Sequence, residues 1–123
     1  MARASAPQRD VDALLPLKPI ELLILTMLSS GERHGYGIRQ DIVAHTRGQV
    51  APEAGNLYRH LRNLQDAGLL DEVRDRGDVE GERRVRYRLL PFGRRVLAAE
   101  FLRLRALLEI AEANRIILPA GVR

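Results

Sequence analysis

The sequence predicts a mainly α fold with a small two-stranded β-wing (α+β) and a long C-terminal helix. Three observations carry that prediction. In AGNLYRHLRNLQDAGLL, residues 54–70, Leu57, Leu61 and Leu64 recur at i, i+4 and i+7, one face of an α-helix. In RRVRYRLL, residues 83–90, Val85, Tyr87 and Leu89 alternate with Arg84, Arg86 and Arg88, the two-residue repeat of a half-buried strand. Beyond Pro91, the residues Leu97, Phe101, Leu104, Leu108 and Ala111 follow at spacings of 4, 3, 4 and 3, a heptad-like seam.

Taken in order, residues 1–18 read as an N-terminal arm. Pro7, Pro16 and Pro19 interrupt regular structure there, while Val11, Leu14 and Leu15 are apolar enough to dock on the body. A first helix starts at Pro19, a residue suited to the first helical turn, and Ile20 to Leu28 is apolar on nearly every side, as in a buried helix. Gly31 ends it, and GERHGY is a short connection. A second helix runs from Gly35 to about Thr46, with Ile38 and Ile42 inward and Arg39, Gln40 and Arg47 outward. GQVAP then forces a turn, because the residue before Pro52 is pushed away from helix. The third helix stops at Gly68, placed for a left-handed C-terminal cap.

LLDEVRD (69–75) is the expected partner of the Arg-rich strand, and RGDVEGE (76–82) supplies glycine and acids for a hairpin tip. Three helices followed by a two-stranded hairpin is the winged helix-turn-helix layout, here over residues 19–90. The C-terminal segment, 91–118, contains a helix from Pro91 to about Asn114, and 119–123 is a tail. Its seam is either a self-association surface or the face by which the helix folds back on its own domain. Self-association is preferred, since a wet apolar seam usually marks a partner site.

Composition sets the outer limits. No cysteine is present, which excludes disulfides and thiolate metal sites. The apolar run at residues 20–28 contains Glu21 and is too short to span a bilayer, and MARASAPQRD lacks the apolar core of a signal peptide. The expectation is a soluble cytoplasmic chain without a membrane partner. The formal charge is +4, but residues 19–90 hold 11 Arg against 11 Asp and Glu, whereas residues 91–123 hold 6 Arg against 3 Glu. A nucleic-acid reader on this chain must therefore segregate charge over its surface. His34, His45 and His60 do not stand at zinc-ligand spacing, and no nucleophile–base pair or phosphate-cradling glycine loop occurs. No metal, no cofactor and no enzyme activity are expected.

HGYGI (34–38), GNLYRHLRNLQDAGLL (55–70) and RRVRYRLLPFGRRVL (83–97) resemble the signature blocks of PadR-family transcriptional regulators. The resemblance covers roughly residues 17–105, with three blocks in the right order and spacing. It implies a winged-helix homodimer, commonly a repressor released by a small-molecule effector. A single C-terminal helix is similar to the short subfamily, whose members dimerise through that helix. The chain departs from the family pattern at Asn56, where Thr or Ser is usual, at Arg59, where Pro is common, and at Leu90, where Thr is common. Asn56 still suits a helix cap, whereas Leu90 cannot cap and leaves that helix end to Pro91 and packing.

On this reading the polar face of the third helix enters the major groove, which admits one helix whose N-terminal side chains reach base edges. Asn56, Arg59, His60 and Asn63 are the candidate base readers. Tyr58, Arg62, Arg39, Gln40, Arg84, Arg86 and Arg88 are the candidate backbone contacts. Salt bridges from the three wing arginines to Asp71, Glu72, Asp75, Asp78, Glu80 or Glu82 compete with that role. Leu97, Phe101, Leu104, Leu108 and Ala111 are the candidate dimer interface. Tyr36, Phe92 and Phe101, beside Tyr58 and Tyr87, are the aromatics available to line an effector chamber, although such residues more often serve core packing. The resulting expectation is a sequence-specific regulator binding an inverted repeat in double-stranded DNA. The alternative is a winged-helix protein-interaction module without specific DNA binding.

Overall fold

The computed structural model describes residues 10–74 and 85–116. Its elements are α1 (Pro19–Leu28), β1 (Arg33–His34), α2 (Gly35–His45), α3 (Ala54–Asp66), β2 (Leu70–Arg74), β3 (Val85–Leu89) and α4 (Pro91–Ala113). The strands form one antiparallel sheet in the order β1-β3-β2. The wing is thus three-stranded, where two strands were expected. Arg33 and His34 pair with Tyr87 and Arg86, and two residues are too few to show any alternation in sequence. The expected hairpin partners do pair, with Leu70 opposite Leu89 and Asp71 opposite Arg88. The predicted tip, 76–82, lies outside the described residues.

The second and third helices bury the residues their spacing implied, and the apolar first helix joins them. Ile24, Leu25 and Leu28 of α1, Ile38 and Ile42 of α2, and Leu57, Leu61 and Leu64 of α3 are all buried in one core. Leu69, Leu70 and Tyr87 close it from the sheet, and Val96 and Leu97 close it from α4. Gly68 takes a φ of +81° after α3, the left-handed cap its position suggested. The N-cap of α3 is Glu53, without a side-chain cap, so Asn56 sits inside the first turn and caps nothing. The N-cap of α4 is Leu90, also uncapped by its side chain, with Pro91 as the first helical residue.

The segment before α1 belongs to this core. Val11 is buried, and Leu14, Leu15 and Leu17 pack against the same cluster. The Leu17 N–H donates to Glu100 Oε2 at 3.0 Å, which joins that segment to α4. Glu100 is itself 1% exposed and accepts two further bonds from Arg103, at 2.6 and 2.9 Å. Those bonds hold its carboxyl below the usual carboxylate range, against the opposing effect of burial. From Arg105 to Ile116, every residue except Ala111 is exposed.

Candidate nucleic-acid interface

α3 is divided as its sequence implied. Leu57, Leu61 and Leu64 face the core, while Asn56, Tyr58, Arg59, Arg62 and Asn63 lie exposed on the other side. Arg59 and Asn56, one turn apart, are hydrogen-bonded through the guanidinium and the amide oxygen. That contact leaves both groups at the surface near the N-terminal end of the helix.

His60 corrects the expectation of a base reader. It is 8% exposed, and its Nδ1 lies 2.8 Å from Glu21 Oε2 of α1. An ionised carboxylate only accepts, so Nδ1 carries the proton in that bond. His60 occupies the buried stripe with Leu57, Leu61 and Leu64, and its role is to tie α3 to α1.

The other predicted backbone contacts divide. Gln40 is exposed on α2, whereas Arg39 Nε donates to the Pro52 carbonyl at 2.7 Å and steadies the turn before α3. Arg86 Nη1 stands 3.0 Å from Glu32 Oε1, and Arg88 Nη2 stands 3.5 Å from Asp71 Oδ2. The second is a cross-strand pair of the kind the acid-rich partner strand suggested. The first was missed, because Glu32 arrives from the loop before β1. Arg84 lies outside the described residues. Both observed pairs are partly exposed, a setting where an ion pair contributes little to stability.

A cleft of about 970 Å³ opens between the start of α2, Tyr58 of α3 and strand β3. It gathers Tyr36, Tyr58 and Tyr87, three of the five aromatics proposed for an effector chamber. Phe92 and Phe101 stand apart on α4, and the Phe92 ring carries the Arg95 guanidinium 5.4 Å from its centre. Tyr58 reaches the cleft because residue 35 is glycine. A β-carbon there would stand 2.5 Å from the Tyr58 hydroxyl oxygen. Tyr87 is buried in the cleft wall, and burial, followed by the nearby Glu72, raises its phenol above the ordinary value. Sequence alternation marked Tyr87 as inward but gave no sign of the cleft.

On α4 the predicted seam splits. Leu97 is 6% exposed inside the body, which removes it from a free interface. Phe101 and Leu108 are about half exposed, while Leu104 and Ala111 are partly covered. Leu102, Leu107 and Ile110 widen the exposed apolar surface beyond the predicted stripe. Among the described residues no cluster of metal-ligating side chains occurs, and no helix is long and apolar enough to cross a membrane.

Three packed helices, a small antiparallel wing and a third helix with its polar face outward define a winged helix-turn-helix protein. The family model described as "Transcriptional regulator PadR-like family" matches residues 24–99, and the chain belongs to that family, which comprises transcriptional regulators and not enzymes. Solved structures share the fold. One is a transcriptional regulator from Clostridium thermocellum, with a TM-score of 0.67 and 20% identity over 80% of this chain and 90% of that one. Another is a PadR-family regulator from Eggerthella lenta, with a TM-score of 0.64 and 24% identity over 94% of this chain and 95% of that one. Bacillus subtilis PadR, solved in complex with operator DNA, has a TM-score of 0.61 and 20% identity over 88% of this chain and 54% of its own. Among curated protein sequences nothing matches the chain.

Proposed function

We propose that this chain is a cytoplasmic, sequence-specific DNA-binding regulator acting as a homodimeric repressor on an inverted repeat. The observation that carries the reading is the division of α3 into a buried leucine face and an exposed face of Asn56, Tyr58, Arg59, Arg62 and Asn63. Asn and Arg are the side chains that pair bidentately with adenine and guanine in the major groove. Family membership and the operator-bound relative support the same direction. The exposed half of α4 supplies the second requirement, an apolar face for pairing two copies and two recognition helices. A small-molecule effector would act by changing the spacing or angle of those helices and so the affinity for DNA.

The test is selection from a randomised duplex pool at two salt concentrations, with mass determination on the same sample. Recovery of an inverted repeat by a dimer, with affinity falling steeply as salt rises, is the expected result. A folded dimer that enriches no sequence and shows no salt-sensitive binding overturns the reading and favours a protein-interaction module.

A further inference from the structure

We propose that the cleft between α2, α3 and β3 seats one phosphodiester of bound DNA, gripped by neutral donors in place of the wing arginines. The inference deepens the DNA-binding reading and rests on it. The donors are the Tyr58 and Tyr87 hydroxyls and the first-turn amides of α2.

Tyr87 gives the strongest indication. It is 6% exposed and lines the cleft, yet its hydroxyl makes no hydrogen bond among the described residues. The oxygen is not sealed from solvent, and the cleft is the space its residue lines. Solvent can therefore meet the hydroxyl in the free protein, and an anion entering the cleft can take the place of that solvent.

The start of α2 points the same way. This helix of 11 residues has His34 as its N-cap with no side-chain cap, because the imidazole Nδ1 lies 3.3 Å from the Val85 carbonyl instead. First-turn amides lack intrahelical acceptors and carry the positive end of the helix dipole. Gly35 and Gly37 present that turn without side chains in the way, and both line the cleft. The Tyr58 hydroxyl rests against Gly35, which brings it to the same spot.

The neighbouring cations are already answered. Arg33 in the cleft wall is 2.6 Å from Asp41 and donates to the Gly31 carbonyl at 2.9 Å, while Arg86 and Arg88 meet Glu32 and Asp71. An incoming anion therefore meets hydroxyls and amides first. The cleft volume exceeds one phosphate, and the apolar walls at Tyr36 and Val85 suit the flanking deoxyriboses.

Neutral donors release no counterions, and phosphate contacts carry no base information. With the full chain and a selected operator, Tyr87→Phe should therefore bind about tenfold more weakly, operator and unrelated duplex alike. Its salt slope should not change, and its melting temperature should hold or rise. Methylphosphonate substitution, one phosphate at a time, should find one position in each half-site that weakens the unaltered protein but not the variant. Tyr58→Phe, at an exposed position, should couple to the same phosphate. Equal binding by both variants, or a loss confined to particular base pairs, overturns the seat while leaving the DNA-binding reading intact. An unaltered protein that binds no duplex overturns that reading, and the seat with it.

Discussion

Arg59 and His60 are consecutive residues that face opposite sides of α3, and they should fail differently when changed. Arg59 is exposed, with Asn56 as its one partner among the described residues, so Arg59→Ala should relax base preference at one operator position by about 1–3 kcal/mol and leave the fold unmoved. His60 pairs with Glu21, both side chains nearly covered, so Glu21→Ala should cost about 2 kcal/mol of stability and leave base preference unchanged. Replacing both by leucine should recover much of that loss, since the penalty of a broken buried pair falls on the partner left behind. Thermal melts and a base-by-base binding profile separate the two outcomes; a His60 variant with altered base preference would restore it to the groove. The sequence contained half of this distinction. Position 60 lies three residues after Leu57 and four before Leu64, on the buried stripe, but histidine's polarity argued against its spacing. Glu21 is 39 residues away, and no local pattern could pair the two.

At the scale of elements, α4 shows where local propensity loses to packing. Gly93 lies in its first turn, where alanine would ordinarily improve a helix by up to about 1 kcal/mol. The β-carbon would collide with the Leu69 carbonyl, part of the backbone that also accepts the Leu90 N–H at 3.0 Å. Backbone does not step aside as a flexible side chain does, and overpacking typically costs about 1–3 kcal/mol. Gly93→Ala should therefore destabilise the protein, which a denaturant titration would register as a lower midpoint. Glu100, two turns further on, sets a pH dependence. Its carboxyl is held below the ordinary value in the fold, chiefly by Arg103, so the unfolded chain binds the proton more readily. The sign follows: its contribution is full above the unfolded value, about 4.3, and is lost as pH falls through the folded one. The advantage of the natural protein over Glu100→Gln should shrink between about pH 6 and about pH 3. An advantage that grows on acidification would contradict the assignment. Periodicity made the helices and the hairpin pairing legible, because each repeat is local. The β1 strand and the Leu17–Glu100–Arg103 link were not legible, since they join short or distant segments with no repeat of their own.

For the whole molecule, charge and apolar surface divide the work. Residues 19–90 carry no net charge, so a recognition surface there depends on particular side chains more than on a broad positive field. One such domain offers one helix to one half-site, and affinity for an inverted repeat then depends on linking two. The seam on α4 was legible as a 4-3 spacing, but its division was not. Leu97 is absorbed by its own domain, while Phe101 and Leu108 are left half exposed beside Leu107 and Ile110. The first turns of the helix pack on the body, as the fold-back alternative had it, and the later ones are uncovered, which leaves them open to the proposed self-association. Placing a charge at the uncovered half tests the pairing without touching the core. Phe101→Glu with Leu108→Glu should yield a folded monomer by mass, with an unchanged melting transition at high dilution. Its operator affinity should fall by about a hundredfold or more, because the second half-site is no longer bound intramolecularly. Half-site duplexes should bind both proteins alike, which distinguishes lost pairing from a damaged reading head. A dimer that survives both charges would move the interface elsewhere. A monomer that keeps full operator affinity would mean that each domain reads its half-site independently, and that two-fold symmetry in the operator reflects no symmetry in the protein.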